Sequence, residues 1–350
     1  MTIGVIVTGG TIASTRDETG SGLFAPRCGS ELLALTEQLG AERGQKVVVE
    51  RWVNDTGEVM PLLDSCDIDA AHWLMMHRHI ESLLNRCQAV VVLHGTDTLA
   101  YTASALSMLG PRRKGAVVVT GAQIPLTAEG SDAEANLRLA IDTAAGDLGE
   151  LQGDTVVAFG GRVMRGVRVT KYSTRDFEGF QSFNSPVLLP ATTAGNPAVL
   201  GDWQRQRVQA GPSLTQFAPR VLVLRVVPGM DVDWLAKMIL AVPPAGLVLE
   251  LFGVGSAPEA DKLASLANEL ANREVPVVAV SACDHGGLDW NRYEATAPLG
   301  TSAMIPGGDM RTEAAVVKLR GLLSDTVANE EHRNSFQQRF QASIAGELST

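Results

Sequence analysis

The chain has 350 residues, of which 45% are hydrophobic and 19% charged, and its formal net charge at pH 7 is -10. This apolar content is enough for one large core or two moderate ones, and two domains is the commoner arrangement at this length. The acidic balance argues against a nucleic-acid partner, because binding to phosphates depends on a basic surface. No apolar stretch approaches the ~20 residues of a membrane-spanning helix, so we expect no membrane association.

The start of the chain and its cysteines bear on the cellular compartment. The first apolar run begins within three residues of Met1, which leaves no charged segment followed by a separate apolar segment, as a signal peptide would have. The four cysteines lie far apart and form no C-x-x-C pair: Cys28, Cys66, Cys87 and Cys283. This usage is typical of reduced thiols, and we therefore expect a cytoplasmic protein.

Strands alternate with helices in the first half of the chain. An apolar run at residues 4–7 (GVIV) predicts a buried strand, and later Val-rich runs are separated by enough residues for a crossover helix. These runs cover residues 46–53, 89–94, 116–121 and 155–159. Such an alternation is typical of an α/β fold with a parallel sheet.

The second half begins with a change in composition. Residues 185–220 are rich in Pro, Gly, Thr and Gln without a clear period, which indicates an interdomain connection. A second α/β set follows, with strands at 221–226, 246–251 and 275–280 and amphipathic helices in DVDWLAKMIL, EADKLASLANELANR and RTEAAVVKLRGLLSD. We therefore predict two α/β domains: a larger N-terminal parallel-sheet domain at 1–195, a linker at 196–220 and a smaller C-terminal domain at 221–350.

Polar residues follow several of the predicted strands. In an open parallel sheet, ligands bind beyond the carboxyl ends of the strands, so these residues are the candidates for a site. They are Thr11 in TGGTI, Asp64, Ser65 and Cys66 in LLDSCD, Thr96 and Asp97 in HGTDT, and Lys171 in RGVRVTKY. We expect them to converge on one cleft.

Each of these residues also has a simpler structural interpretation. A glycine-rich turn after a first strand most often binds a nucleotide or only turns the chain, but the G-x-G-x-x-G spacing is absent because only Gly9 and Gly10 are present. Thr96 or Thr98 would cap the helix LAYTASALSML, and Lys171 would be solvated, as most lysines are. Taken singly, none of these signals identifies a function.

The histidines of HWLMMHRH do not form a metal site in the predicted helix. His77 and His79 point to different faces. His72 and His79 share a face but lie two turns, roughly 10 Å, apart. We therefore expect no metal ion.

Taken together and in order, the motifs resemble a known family. They are VTGGTIAST, PLLDSCDID, VVLHGTDTLAYTASALSML, VVVTGAQIPL, EGSDAEANLRLA and RGVRVTK in the first half, and LFGVGSAP, GGDMRTEAAVVKL and AGELST in the second. Over essentially its whole length the sequence is similar to the bacterial type I, cytoplasmic L-asparaginases. The pair TGGTI and HGTDT at this separation is highly specific to that family.

The resemblance implies an amidohydrolase that converts L-asparagine and water to L-aspartate and ammonia, without metal or organic cofactor, as a homodimer or homotetramer. In the family, the threonine matching Thr11 becomes acylated, and the pair matching Thr96 and Lys171 is the second catalytic group, with lysine as the base. Asp97 matches the carboxylate that binds the α-ammonium group. A threonine hydroxyl needs such a base, because it is a weak nucleophile until its proton is removed.

The same resemblance places Asp64, Ser65 and Cys66 in the loop that binds the α-amino-acid end of the substrate, with Ser65 on the α-carboxylate. These residue types suit a free amino acid, which carries both charges on its α-carbon. One conflict stays open: Lys171 must be neutral to accept a proton, whereas Asp97 favours its charged form. Desolvation in a closed site would resolve this conflict.

Three positions depart from the family pattern. Many relatives carry a tyrosine in the mobile segment after the first threonine, but here that segment, RDETGSGLFAPRCG, has only Phe24, which has no proton to exchange. Cys66 stands where relatives have serine or glutamine. Glu250 replaces an arginine that some type I members use in a regulatory asparagine site, of which Thr170 and Cys283 match other parts. We expect this regulation to be absent.

The segment at residues 14–29 has the composition of a lid. It includes Gly20, Gly22 and several polar residues, and we expect it to order over bound substrate. Closure would exclude water and favour the neutral form of Lys171.

Two other functions remain open. The ammonia-supplying component of a tRNA-dependent amidotransferase shares this pair of domains, but it usually carries an additional N-terminal domain, for which we expect no room before the first strand. A catalytically weak amino-acid sensor, a protein of a different class, would fit the missing tyrosine. Ammonia release from asparagine separates an enzyme from a sensor.

Overall fold

The computed structural model describes residues 2–16, 24–26, 28–54, 56–111, 113–146, 151, 153–187, 213–328 and 335–349. Contacts between Cα atoms divide the chain into two compact units, Met1–Ala210 and Gly211–Thr350. Residues 196–212 of the predicted linker and residues 17–23 and 27 of the predicted lid lie outside the described residues. The predicted domain boundaries and the lid therefore remain predictions.

The first unit is built on one large sheet, together with a small hairpin. The hairpin pairs β2 (Ser14–Arg16) with β3 (Phe24–Pro26). The strands of the sheet are β1 (Thr2–Val7), β4 (Lys46–Arg51), β5 (Ala89–Leu93), β6 (Ala116–Thr120), β7 (Thr155–Phe159) and β8 (Arg162–Arg165). Their order is β4-β1-β5-β6-β7-β8, and all neighbours are parallel except β7 and β8.

The central strands consist of buried, mostly apolar residues. β5, β6 and β7 read AVVVL, AVVVT and TVVAF, and every residue in them is buried. Such runs are typical of parallel strands that helices cover on both faces. The register pairs Val7 with Leu93 and Leu93 with Thr120. The residues that follow β1, β5 and β6 therefore lie side by side at one edge, as the sequence predicts.

Helices cover both faces of this sheet. They are α1 (Ser30–Glu42), α2 (Ala70–Leu84), α3 (Leu99–Leu109) and α4 (Ala133–Ala145). Side chains of α1 and α4 form one apolar cluster with Val5 and Val91 of the sheet. On the opposite face, a Cβ atom on Gly4 would lie 3.3 Å from Leu83 of α2, and α2 packs against α3. The predicted α/β layering is thus confirmed.

The chain reaches Lys171 by a route that the strand pattern did not indicate. After β7 it turns back into β8, passes through the 3-10 turn Gly166–Arg168 and enters β9 (Val169–Lys171). β9 pairs in antiparallel fashion with β10 (Phe180–Ser182). Phe180 packs against Phe159, with ring centroids 4.9 Å apart, so a buried contact holds this hairpin against β7.

The second unit contains a smaller sheet of parallel strands. In order they are β11 (Val221–Arg225), β12 (Gly246–Leu251), β13 (Val277–Ser281) and β14 (Ile305–Pro306). Its helices are α5 (Val232–Ala241), α6 (Ala260–Asn272), α7 (Ala297–Gly300), α8 (Thr312–Ala328) and α9 (Phe336–Gln341). The three predicted strands and three predicted helices correspond to β11–β13, α5, α6 and α8. No helix within the described ranges is long and apolar enough to cross a membrane.

A buried ion pair ties the end of the chain to α8. Lys318 Nζ lies 2.6 Å from Glu347 Oε1 and donates to the Ala342 carbonyl at 2.6 Å, and both charged side chains are 0% exposed. Glu347 also accepts hydrogen bonds from the N–H groups of Ile344 and Ala345. Hydrogen bonds thus match both charges, which is the condition for keeping a buried pair stable.

Candidate active site

The turn after β1 requires two glycines. Gly9 has φ 129° and Gly10 has φ 74°, values that residues with a side chain rarely adopt. A Cβ atom on Gly10 would lie 2.2 Å from the Cα of Gly95, and one on Gly9 would lie 2.2 Å from the Leu63 carbonyl oxygen. The glycines therefore let three loops meet at the carboxyl edge of the sheet. Thr11, the first residue of a short 3-10 turn, lies directly after this junction.

The loop after β4 brings Ser65 to the same junction. The N–H of Gly10 donates to the Leu63 carbonyl at 2.9 Å, which anchors the loop beside β1. Ser65 is 1% exposed, and a Cβ atom on Gly95 would lie 2.7 Å from its Oγ. Thr98 Oγ1 donates to the Ser65 carbonyl at 2.6 Å and does not cap α3. Backbone and side-chain contacts from two other loops thus fix Ser65.

Asp64 and Cys66 flank Ser65, and both are exposed. The Asp64 carboxylate accepts a hydrogen bond from the Cys66 N–H at 3.1 Å and so caps the 3-10 turn Ser65–Asp67. A side-chain hydrogen bond to Asp64 raises the pKa of the Cys66 thiol. The sulfur is therefore a neutral thiol near pH 7, which offers a substrate only a weak hydrogen-bond donor.

Lys171 contacts two of the polar side chains that follow β5. Its Nζ donates to Thr96 Oγ1 at 2.8 Å and to Asp97 Oδ1 at 2.6 Å. The side chain of Lys171 is only 16% exposed, whereas that of Asp97 is 67% exposed. The simpler interpretations, a solvated lysine and a threonine that caps α3, are therefore wrong. The structure joins Thr96, Asp97 and Lys171 in one cluster beside the junction of the three loops.

His94 belongs to this edge and was missed by sequence reasoning. It is 0% exposed directly after β5, and its Nδ1 lies 2.7 Å from the Gly95 carbonyl oxygen. Burial lowers the pKa of His94 to about 4, so the imidazole is neutral near pH 7 and Nδ1 carries the proton that the carbonyl accepts. Among the described residues, Nε2 has no hydrogen-bond partner. The sequence signal, a histidine before GTDT, does not reveal burial.

The histidines of α2 have structural contacts. The Asp69 N–H donates to His72 Nδ1 at 3.1 Å, which completes the N-cap of the helix. His79 Nε2 lies 2.9 Å from Glu50 Oε2. Within the described ranges, no group of three or more His, Cys, Asp or Glu side chains is placed to hold a metal ion.

The three residues compared above with a regulatory asparagine site, Thr170, Glu250 and Cys283, lie in different units. Thr170 is in β9 of the first unit, and Cys283 follows β13 of the second. Glu250, in β12, accepts a hydrogen bond from Thr312 Oγ1 at 2.6 Å and pairs with Arg225 at 3.2 Å. Its carboxylate is therefore already occupied by two partners. The absence of asparagine regulation stays a prediction.

The chain's three tyrosines all lie outside residues 14–29. Tyr101 is in α3, Tyr172 directly follows β9 and is 54% exposed, and Tyr293 belongs to the second unit. Phe24 begins β3. No tyrosine of the chain therefore lies in the segment that carries one in many relatives.

Comparison with known proteins agrees with this architecture. The family profile described as "Asparaginase, N-terminal" matches residues 2–202, and the profile described as "Glutaminase/Asparaginase C-terminal domain" matches residues 220–336. Together they cover both units. The chain therefore belongs to the asparaginase family and is a hydrolase.

Relatives and a solved structure match almost the whole chain. The L-asparaginase of Thermococcus kodakarensis is 33% identical over 98% of each chain. A solved structure of the thermostable L-asparaginase from Thermococcus kodakarensis superposes with a TM-score of 0.81, covering 100% of both chains at 32% identity. L-asparaginase 1 of Escherichia coli K12 is 31% identical over 97% of each chain. A component of the glutamyl-tRNA(Gln) amidotransferase of Pyrococcus furiosus is 30% identical over 93% of this chain and 72% of that one.

Proposed function

We propose that this protein hydrolyses L-asparagine to L-aspartate and ammonia. The observation that carries the proposal is the cluster of Lys171, Thr96 and Asp97 beside the Gly10–Gly95 contact that precedes Thr11. Together, these residues provide a nucleophile in the hydroxyl of Thr11 and a lysine hydrogen-bonded to a second hydroxyl, that of Thr96. They also provide a carboxylate that suits an ammonium group. The L-asparaginases among the relatives support the choice of substrate.

In the proposed first step, the hydroxyl oxygen of Thr11 attacks the side-chain amide carbon of asparagine. The hydroxyl proton passes to the Thr96–Lys171 pair, and the carbonyl π electrons move to oxygen. The pair then gives this proton to the amide nitrogen, and the return of the electrons from oxygen breaks the C–N bond, so that the nitrogen leaves with the bonding electrons as ammonia. An ester between Thr11 and the β-carboxyl group of aspartate remains. Water then adds to the ester carbon, and Thr11 leaves with a proton, which releases aspartate and restores the enzyme.

Asp97 has two successive partners in this proposal. In the structure, Asp97 accepts a hydrogen bond from Lys171 at 2.6 Å. The substrate α-ammonium group would take the place of Lys171 on this carboxylate, because both groups are cationic donors. Substrate binding would therefore release the Lys171 amine from Asp97 and leave it to act as a base through the Thr96 hydroxyl, 2.8 Å away.

The α-carboxylate of the substrate requires donors at the other end. The Ser65 hydroxyl, held against Gly95, suits this role, because a hydroxyl donates to a carboxylate without adding charge. The exposed thiol of Cys66 lies next to it in the chain and is a weaker donor. We therefore assign the binding loop to Asp64, Ser65 and Cys66, with Ser65 on the α-carboxylate.

The experiment that tests this function has two parts. Purified protein is given asparagine, and ammonia release is followed with a coupled assay. The reaction is then quenched with acid during turnover, and peptide mass spectrometry locates the aspartyl group. We expect ammonia and a modified peptide that contains Thr11. Ammonia release without modification of Thr11 would support the hydrolysis of asparagine and contradict the acyl-enzyme intermediate. Binding of asparagine without release of ammonia would instead indicate an amino-acid sensor.

The similarity to the amidotransferase component supports a second candidate, a protein that supplies ammonia within a larger complex. Such a protein delivers ammonia to a partner enzyme, whereas an asparaginase releases it to solvent. Rates with asparagine and glutamine on the isolated chain, measured without any partner, separate the two. Fast turnover of asparagine but not of glutamine by the isolated chain would favour the assignment as an asparaginase.

We further propose a cytoplasmic homodimer or homotetramer. The proposal rests on the resemblance to type I enzymes and on cysteines that are free in the structure: Cys28, Cys66, Cys87 and Cys283. Light scattering coupled to size-exclusion chromatography measures the mass of the assembly, and a monomer would contradict the proposal.

A further inference from the structure

Gln123, a residue to which the sequence patterns assign no role, joins two loops of the site. It follows β6 in the segment VVVTGAQIPL, and its side chain is partly buried. Its Nε2 donates to the Ser173 carbonyl at 3.0 Å and to the Asp176 carbonyl at 3.1 Å. Both acceptors belong to the loop that directly follows Lys171.

The loop fits closely around this amide group. A Cβ atom on Gly179 would lie 2.5 Å from Gln123 Nε2, so a larger residue there would displace the amide. The loop also has contacts of its own: Ser173 Oγ donates to Asp176 Oδ2 at 2.8 Å and accepts from the Asp176 N–H at 3.0 Å. It is therefore a compact unit that Gln123 fastens to the end of β6.

The backbone of Gln123 is fixed in turn by α4. The Asp132 carboxylate accepts the N–H of Gln123 at 3.0 Å and that of Ile124 at 2.9 Å. Asn136 Nδ2 donates to the Gly121 carbonyl at 3.1 Å. Asp132 is 6% and Asn136 2% exposed. A buried polar network of this kind holds one geometry, because breaking it would leave polar groups without partners.

We propose that Gln123 is a positioning residue for Lys171. The proposal rests on the proposed function, in which Lys171 is the base. Strand β9 fixes the backbone before Lys171, and Gln123 fixes the loop after it, so together they determine where Nζ lies relative to Thr96. A long, flexible lysine side chain needs such restraint, since a displacement of about 1 Å can lower a catalytic rate about 10²-fold.

The test uses two variants of one residue. Gln123→Met removes both donors without adding charge, and Gln123→Glu sets a carboxylate against two carbonyl oxygens. We expect kcat for asparagine to fall about 10-fold in the first and about 10²-fold in the second. KM is expected to change little, because Ser65 and Asp97 keep their places. The low-pH limb of the pH–rate profile, along which a general base gains activity as it loses its proton, should move in both variants.

A matched control is available in Gln88. Its Nε2 also donates to a backbone carbonyl, that of Ala144 at 3.2 Å, and it is partly buried, but it precedes β5 and lies at the amino end of the sheet. Gln88→Met should leave kcat and the pH profile unchanged. A loss of kcat equal to that of Gln123→Met would show a general effect on stability and overturn the positioning role.

The decisive measurement repeats Gln123→Met in a Lys171→Ala background. If Gln123 acts through Lys171, the second change lowers the residual rate no further. An equal loss of rate from Gln123→Met in both backgrounds would overturn the proposal. Wild-type kcat in Gln123→Met, together with an inactive Lys171→Ala variant, would also overturn it. That second result would leave the proposed function intact. Full activity of the single variant Lys171→Ala would instead contradict the role of Lys171 as the base in the proposed function. If Gln123→Glu does not fold, Gln123→Met decides.

Discussion

The carboxyl edges of the two sheets differ in the partners that their polar side chains contact. In the first unit, the edge carries hydroxyl groups and a lysine, and glycine contacts at Gly10 and Gly95 bring the loops of the hydroxyl groups together. Lys171 is 16% exposed and bonds to a hydroxyl and a carboxylate that is itself 67% exposed. This edge therefore keeps a carboxylate accessible to a ligand.

In the second unit, the charged groups at the equivalent edge satisfy one another. Glu250 binds Arg225 at 3.2 Å and Thr312 at 2.6 Å, and Arg311 binds Asp284 at 3.1 Å. Position at the carboxyl edge is therefore not sufficient for a reactive site. Both edges carry ion pairs, and what distinguishes the first edge is that its cation, Lys171, also contacts a hydroxyl group, that of Thr96.

The strongest way to disturb the second unit is to break its buried ion pair. Lys318→Ala leaves Glu347 charged in an interior where both groups are 0% exposed, and we expect the free energy of unfolding to fall by about 3–5 kcal/mol. Urea denaturation measures the change. Lys262→Ala is the control, because Lys262 pairs with Asp233 at the surface, and it should shift the urea midpoint little. Equal shifts would mean that burial does not determine the cost.

The proposed active site at the first edge is tested most directly at Thr11. Removal of the covalent step by Thr11→Ala should lower kcat by at least about 10²-fold, or about 2.7 kcal/mol, with little loss of stability. Thr143→Ala removes a comparable hydroxyl in α4, where it donates to the Leu139 carbonyl, and should keep wild-type kcat. Near-full turnover in Thr11→Ala would move the search for the nucleophile to Thr96.

The buried imidazole at the first edge should appear in the pH dependence of stability. The pKa of His94 is lowered from 6.5 to about 4, so as the pH falls below 6.5 the unfolded chain binds a proton that the folded chain does not. The His94 contribution to stability should therefore decline by about 2 kcal/mol between pH 7.5 and pH 5 and level off below about pH 4. Urea titrations of wild type and His94→Gln measure it, and equal slopes would contradict burial as the cause.

Asp97 should select substrates that carry a free α-ammonium group. Because its side chain is 67% exposed, solvent weakens the pairing, and we expect Asp97→Ala to lower kcat/KM for asparagine about 10-fold. Asparagine acylated on its α-nitrogen should react slowly with the wild type. Glutamine, which keeps both charges, should be limited mainly by pocket length, by about 1–3 kcal/mol. Equal rates for acylated and free asparagine would show that Asp97 is not the ammonium ligand.

The smallest effect is expected at the second edge. Since Glu250 is occupied by Arg225 and Thr312, we expect a hyperbolic dependence of rate on asparagine concentration. Glu250→Gln should alter kcat by no more than about twofold, as substitutions away from a site usually do. A sigmoidal curve for the wild type that becomes hyperbolic in Glu250→Gln would place a regulatory site at this edge after all.

The sequence by itself was sufficient for the layered α/β architecture and for the candidate residues. Valine-rich runs at 89–94, 116–121 and 155–159 became buried parallel strands, because a run of β-branched residues bounded by turns has few other stable solutions. The residues after those strands could be listed in advance, since parallel strands place their carboxyl ends at one edge. The family motifs added the expected roles, which await the experiments above.

Only the tertiary structure decided which groups contact one another. Lys171 reaches Thr96 because β7 pairs with β8 and β9 pairs with β10, both in antiparallel fashion. The hydrophobic pattern of the sequence did not indicate these pairings. The neutral state of His94 depends on complete burial, and the place of Gln123 depends on two carbonyl groups about 50 residues further along the chain. Local sequence fixes backbone preference and residue type, whereas protonation and positioning arise from distant neighbours that fold against them.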